Sequence, residues 1–437
     1  MCQTTLEKYA TDICSSAKVI SAYCSSNGYP NPSFDPQAPS ITIPPTAPLH
    51  VLVARETILS SALKIKQLVV EPSDYLRYQA VQFQNFACVY WLCHFRILSF
   101  IPLHGSVPYS ELATVASVPE MQLKSIARMA MLSNFLVEPI PGEIAHNATS
   151  TLLVTNPGLL DWALYLAEVS VPSASRIAEA TERWGATEKK NETPFNIVRD
   201  TDMPFLDYVG KSPELSEQYA AHVKNTSLDE GTIVKHLSSG FDWGSLGEAT
   251  IVDICRGPPN LLAITALATI HPKLKFVLQK PAAVAAEIQT HISSLPEAIK
   301  ARISSQDYAV PIAESLRKAD IYLLRRTLHG LTASAAAAVL EPLLLVLKGN
   351  SKARILILDS VLPIPGSVLR HEEALMRSSD LMALEIFNAK EREVEDWKQL
   401  IEGVNDVDGR LVIRKIGKGT GCILSVLEVG YHARNPH

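Results

Sequence analysis

Residues 251–260 read IVDICRGPPN, and their types and order bear directly on chemistry. They follow the β-branched run ATIVDI and precede LLAITALATI, whose apolar residues have helical spacing. Strand, tight turn and helix in that order is the opening of a doubly wound domain, where a nucleotide-type cofactor is held. Such a turn normally carries glycines, because backbone N–H groups must approach the ligand without side chains in the way. Here the positions hold Cys255, Arg256, Gly257, Pro258 and Pro259. One glycine remains, and the prolines remove two N–H donors and fix φ. The pattern predicts a scaffold that keeps the outline of a cofactor site and has lost its grip. Asp253, Arg256 and Gly257 are then vestiges of that site.

The elements around this turn set its context. The chain has 437 residues, 47% hydrophobic and 19% charged, which suits a folded protein of two or three domains. A net charge of −5 without a basic cluster argues against a nucleic-acid partner. The seven cysteines are scattered and form no CxxC pair, which points to reduced thiols and a cytoplasmic location. The N-terminus, MCQTTLEKYATDICSS, has no basic stretch followed by an apolar core. The most apolar region, 87–103, is broken by His94 and Arg96 and is too short to span a bilayer, so no membrane partner is expected.

Four segments follow from periodicity. Residues 1–48 are a helix and a proline-rich arm. Residues 49–160 open with a helix at 49–70; a unit of helices at 74–98, 109–116 and 119–133 and a hairpin around Pro141-Gly142 follows, which is the winged-helix order. Only Lys124 and Arg128 are cationic on the third helix of that unit, so it is read as a surface for another copy of the chain rather than for DNA. Residues 161–235 read as helical, with Trp162, Tyr165, Phe195, Phe205, Tyr208 and Tyr219 as pocket walls or simple core. Residues 236–437 alternate strands and helices. TIVDI, KFVLQ, ADIYLLR and RILILDSVL form a parallel sheet, and GRLVIRKI and GCILSVLEV a closing hairpin. The fold class is α/β: a C-terminal Rossmann-like domain behind an N-terminal helical and winged-helix dimerisation domain.

FDWGSLGEATIVDI, HPKLKFVLQ, ADIYLLRRTLH, ILILDSVLP and NAKEREVEDW, in this order, resemble the fungal O-methyltransferases, relatives of the plant caffeate-type enzymes that use S-adenosylmethionine. PYSELATVASVPEMQL and EIAHNATS are similar to that family's dimerisation region. The resemblance implies a methyltransferase fold and a homodimer through the N-terminal domain. It also places an acid for the ribose hydroxyls where this chain has Lys280, and an ammonium can only donate. By the same resemblance His329 is the catalytic base, and Asp359 and Glu391 orient it. The position after the histidine, usually acidic, is Gly330. Read without the resemblance, His329 caps a helix and the two carboxylates are surface or cap residues.

A lost cofactor turn beside a retained proton-handling set is similar to the methyltransferase-like pericyclases of fungal polyketide–nonribosomal peptide pathways. These dehydrate a 2-pyridone alcohol to a quinone methide and steer its cyclisation by hetero-Diels–Alder or Alder-ene reaction. The resemblance implies a small polyketide-type substrate and no cofactor or metal. Asn196, Asp202, His222 and Thr232 are candidate substrate contacts from the helical region, with no strict motif behind them. The alternatives are an O-methyltransferase with an atypical cofactor turn, and a non-catalytic homologue acting as a partner subunit.

Overall fold

The computed structural model describes residues 4–35, 38–39, 41–44, 46–226, 230–254, 261–280, 284–307, 316–419 and 422–434. They divide into two compact units. One comprises Met1–Arg176, Leu206–Thr226 and Leu369–His371, the other Ile177–Phe205, Ser227–Val368 and Glu372–His437. The helical stretch 161–235 is therefore shared between the units instead of forming a segment of its own.

In the first unit, helix Thr5–Asn27 opens on a capping box between Thr4 and Glu7 and stops at left-handed Gly28. Ile20 and Cys24 pack on Ala54 of helix Leu49–Val69. The helix expected over 74–98 ends at His94, because Arg96 takes a left-handed conformation with φ 53° before a short helix Ile97–Phe100. Helices Tyr109–Ala116 and Glu120–Met131 follow prolines that fix their starts. Strands β1 (Val107–Pro108), β2 (Val137–Ile140) and β3 (Glu143–Ala145) form an antiparallel sheet in the order β1-β3-β2. Leu112, Leu123, Ala127, Phe135 and Ile144 fill the core beneath it. The two cations of the third helix are both engaged internally. Arg128 forks onto Glu138 at 2.8 and 2.7 Å, and Lys124 lies 5.8 Å from the Tyr109 ring centre.

The second unit is built on one sheet. Its strands are β4 (Ala249–Ile254), β5 (Leu274–Lys280), β6 (Ile303–Asp307), β7 (Ile321–Arg325), β8 (Arg354–Ser360), β9 (Gly409–Gly417) and β10 (Leu424–Ala433). Their order is β6-β5-β4-β7-β8-β10-β9, with the first five parallel and β10 antiparallel to both neighbours. Strand β6 escapes the sequence reading because ISSQD is an edge strand with one buried apolar residue and no alternation. The central strands are buried on both faces and read as continuous apolar runs, which is why they were legible. The order reverses between β4 and β7. Their carboxyl ends open the crevice where doubly wound sheets place their ligands.

Strand β9 and helix Glu230–Gly240 approach at two glycines: a Cβ on Gly417 would strike the backbone carbonyl of Gly240. Backbone cannot yield as a side chain can. Gly417→Ala should therefore lower stability by about 1–3 kcal/mol in urea denaturation. Gly349→Ala, where a Cβ meets open space, should stay within about 0.5 kcal/mol of the parent. Equal midpoints for the two variants would contradict this packing.

Candidate active site at the strand ends

Three carboxyl ends of the sheet and one helix terminus position the candidate groups. Strand β7 ends at Arg325. Arg326 then takes φ 48° and donates its N–H to the Leu358 carbonyl at 2.8 Å, while the Thr327 hydroxyl donates to the Ile254 carbonyl at 3.0 Å. These bonds fix the chain that carries His329. Gly330 follows with φ 67°, a conformation that disfavours any side chain. The glycine in place of the family's acid thus has a local backbone reason. Asp359 is the penultimate residue of β8, and Glu391 lies just beyond helix Arg370–Phe387.

The structure brings His329, Asp359 and Glu391 together. His329 Nδ1 lies 2.8 Å from Oε1 of Glu391. One ring nitrogen and one oxygen from each carboxylate all fall within 4.8 Å of one another. This is the one group of three or more potential metal ligands among the described residues. The imidazole is 30% exposed, whereas both carboxylates are buried.

Their surroundings push the two acids in opposite directions. Burial drives the Asp359 carboxyl above the ordinary aspartate value. The Glu391 charge adds to the rise, and the neighbouring His329 and the Ser360 N–H only partly oppose it. Burial would raise Glu391 as well, but the close His329 contact and charge, Arg326 and the Ser360 hydroxyl outweigh it, so its carboxyl is held low. Asp359 Oδ1 accepts the Ser360 N–H at 2.9 Å, and its Oδ2 has no partner among the described residues. The arrangement is one acid pushed up and one held low, flanking one imidazole. It suits proton transfer through the exposed ring nitrogen.

Sequence reasoning missed the residue that holds this loop. Arg392 donates Nη1–H to the Leu328 carbonyl at 3.0 Å and Nη2–H to the Leu331 carbonyl at 2.6 Å, bracketing His329. It stacks on Trp397, whose indole N–H donates to the Ser360 carbonyl at 3.0 Å. Its only sequence signal was its place beside Glu391 in NAKER.

The remaining candidates do not converge on this group. The Asn196 amide is committed to its own helix start and turn. Its Oδ1 accepts from Thr193, and its Nδ2 donates to the Thr201 and Met203 carbonyls, both at 2.8 Å. It has no hydrogen-bonding capacity left for a substrate. Asp202 is exposed in the turn that follows. His222 belongs to the first unit, stacked on Tyr165 at 4.5 Å, and burial lowers its pKa to about 4. Thr232 lies in helix Glu230–Gly240, with its side chain outside the described residues, as are Arg256 and Gly257.

Residues 185–404 match the family described as the O-methyltransferase domain. The chain is 42% identical over 431 residues to the O-methyltransferase VdtC of Byssochlamys spectabilis, covering 98% of each protein. The chain belongs to the O-methyltransferase family. O-methyltransferase aurJ of Gibberella zeae is 36% identical over 95% of this chain and 96% of its own. Residues 3–70 match the N-terminal domain of the trypacidin cluster transcriptional coactivator tpcD. Among solved structures, OxaC aligns with a TM-score of 0.63 at 15% identity, covering 98% of this chain and 99% of its own. LepI in complex with SAM aligns at 0.61 and 17% identity, covering 87% and 94%. At those identities the structures show a shared fold. Among the described residues no helix is long and apolar enough to cross a membrane.

This O-methyltransferase family implies S-adenosylmethionine, and the described residues do not fit it. Asp253 is wholly buried, and both its oxygens are taken by Arg325, at 3.1 and 2.7 Å. Lys280, buried at the end of β5, is a cation where an acceptor for the ribose hydroxyls is required.

The buried ion pair has a thermodynamic consequence. Arg325→Ala leaves Asp253 charged and alone, and should cost about 3–5 kcal/mol in urea denaturation. Combining Arg325→Met with Asp253→Asn should recover most of that loss. A double variant as unstable as the single one would show that the pair is not the source.

Proposed function

We propose that this member of the O-methyltransferase family uses the methyltransferase scaffold for proton transfer on a hydroxylated polyketide-type substrate, without S-adenosylmethionine. In its specific form the reaction is that of a pericyclase: dehydration of a 2-pyridone alcohol to a quinone methide, followed by hetero-Diels–Alder or Alder-ene cyclisation. The observation that carries the reading is the pairing of a complete His329–Glu391–Asp359 group with a cofactor edge occupied by Arg325 and Lys280.

His329 acts first as base and then as acid. Its exposed nitrogen takes the proton of the ring hydroxyl, and the resulting imidazolium gives it to the leaving hydroxyl. The C–O bond breaks, water departs, and the quinone methide remains, with no change of oxidation state. Glu391 steadies the imidazolium across the 2.8 Å contact, and the burial that raises Asp359 disfavours a second negative charge there. The same reading includes a homodimer through the N-terminal unit. Tyr75, Leu76 and Phe83 stand more than 60% exposed on helix Tyr75–His94, an apolar face that a second copy would cover.

A second reading has its own observation. The match of residues 3–70 to a coactivator's N-terminal domain favours a non-catalytic partner subunit. Turnover separates the two.

His329→Ala should lower the rate of product formation from a panel of pyridone alcohols by about 10²–10⁴. Unchanged rate and product ratio would remove His329 from the mechanism, and no turnover by the parent would favour the partner reading. S-adenosylmethionine should leave the melting temperature unmoved. A ligand at 100 times its dissociation constant would stabilise by about 2.7 kcal/mol, so a clear shift would restore O-methyl transfer as the activity. Light scattering at micromolar concentration should give the mass of a dimer, and a monodisperse monomer would contradict the N-terminal interface.

A further inference from the structure

Two polar atoms of the His329 group are left without a hydrogen bond. Nδ1 of His329 and Oδ2 of Asp359 are both buried, and neither has a hydrogen-bond partner among the described residues. Nδ1 faces Oε1 of Glu391 at 2.8 Å, close enough for an ion pair but not aligned as a hydrogen bond. The two acids themselves are enclosed, with Asp359 1% and Glu391 6% exposed. Buried polar atoms are normally paired. Two orphans in one cluster of three donors call for an electrophile between them.

The donor set is one that a divalent transition metal takes. A ring nitrogen and one oxygen from each acid all fall within 4.8 Å of one another. Donors about 2.1 Å from a tetrahedral zinc ion stand roughly 3.4 Å apart, so the group must draw in by at most roughly 1.4 Å. The ligands come from the loop after β7, the end of β8 and the segment after helix Arg370–Phe387, so they approach from three directions. The imidazole, 30% exposed, leaves a way in and room for a water as fourth ligand. Two carboxylates balance the charge of a divalent ion. Arg326 and Arg392 oppose it, but the Arg392 guanidinium is already engaged by the Leu328 and Leu331 carbonyls. An imidazole among the donors favours zinc or cobalt over magnesium, which prefers six oxygens and keeps its waters.

We infer that His329, Asp359 and Glu391 form a binding site for a divalent transition metal, with zinc the ion their donors suit best. On the proton-transfer reading given above, such an ion is an inhibitor. A metal on Nδ1 leaves the imidazole proton on the other ring nitrogen, which then donates and can take no proton from a substrate. The inhibition rests on that reading, and the binding does not.

The test is calorimetric titration of zinc chloride and of magnesium chloride into the chelator-treated full chain, with His329→Ala, Asp359→Asn and Glu391→Gln alongside. The parent should bind one zinc ion at this site, and magnesium at least about tenfold more weakly. Each variant should weaken zinc by at least about tenfold. Cobalt should give the parent the intense visible absorption of a four-coordinate ion, and zinc should displace it. That spectrum is read on the parent, so it decides the matter even where a variant does not fold. Zinc affinity unchanged in all three variants would mean an adventitious ion elsewhere on the chain and would overturn the inference. No zinc binding by the parent, a preference for magnesium, or a six-coordinate cobalt spectrum would overturn it too. Zinc should also suppress turnover of the pyridone alcohols, with recovery on chelation. Zinc bound at these residues with turnover undisturbed would support the site and remove His329 as the base. Absence of turnover without any metal would count against the proton-transfer reading alone.

Discussion

Two carboxylates buried against one imidazole cannot all be charged independently, and the second unit is arranged around that constraint. Isolated ions lose hydration that a protein interior does not return. Here the conflict is resolved by splitting the acids. Glu391 keeps its charge because His329, Arg326 and Ser360 surround it, and the wholly buried Asp359 is driven toward its neutral form. The imidazole then has one neighbour whose charge is favoured, one whose charge is disfavoured and one face toward solvent.

Holding that balance requires fixed backbone. Arg392 carries a charge into a buried position, where burial lowers its own pKa, and uses it to clamp the carbonyls on either side of His329. Arg326 in a left-handed conformation and Gly330 at φ 67° turn the chain sharply enough to present the histidine between them. Across the crevice, Asp253 and Arg325 neutralise each other at the ends of β4 and β7. The scaffold is that of the O-methyltransferases.

Most of the fold was legible because its elements are strongly patterned. The central strands of the parallel sheet are buried runs of Val, Ile and Leu, and the winged-helix order shows in three consecutive helices and a Pro-Gly turn. The edge strand Ile303–Asp307 was not legible, since an edge strand needs no continuous apolar run. The break at Arg96 depends on a single left-handed residue that carries no glycine signal. Within the site, His329, Asp359 and Glu391 could be named by likeness to a family, but spacing alone would not have joined residues 62 positions apart. Arg325 and Arg392 were invisible as partners because their roles depend on which strand ends meet.

The opposite displacement of the Asp359 and Glu391 carboxyls underlies the whole account of His329, and infrared difference spectroscopy over a pH series tests it most directly. Subtracting the spectrum of an Asp359→Asn variant from that of the parent follows the protonated-carboxyl band of Asp359, and the same subtraction with Glu391→Gln follows that of Glu391. As pH rises, the Asp359 band should outlast the Glu391 band. A Glu391 band that outlasts that of Asp359 would contradict the account.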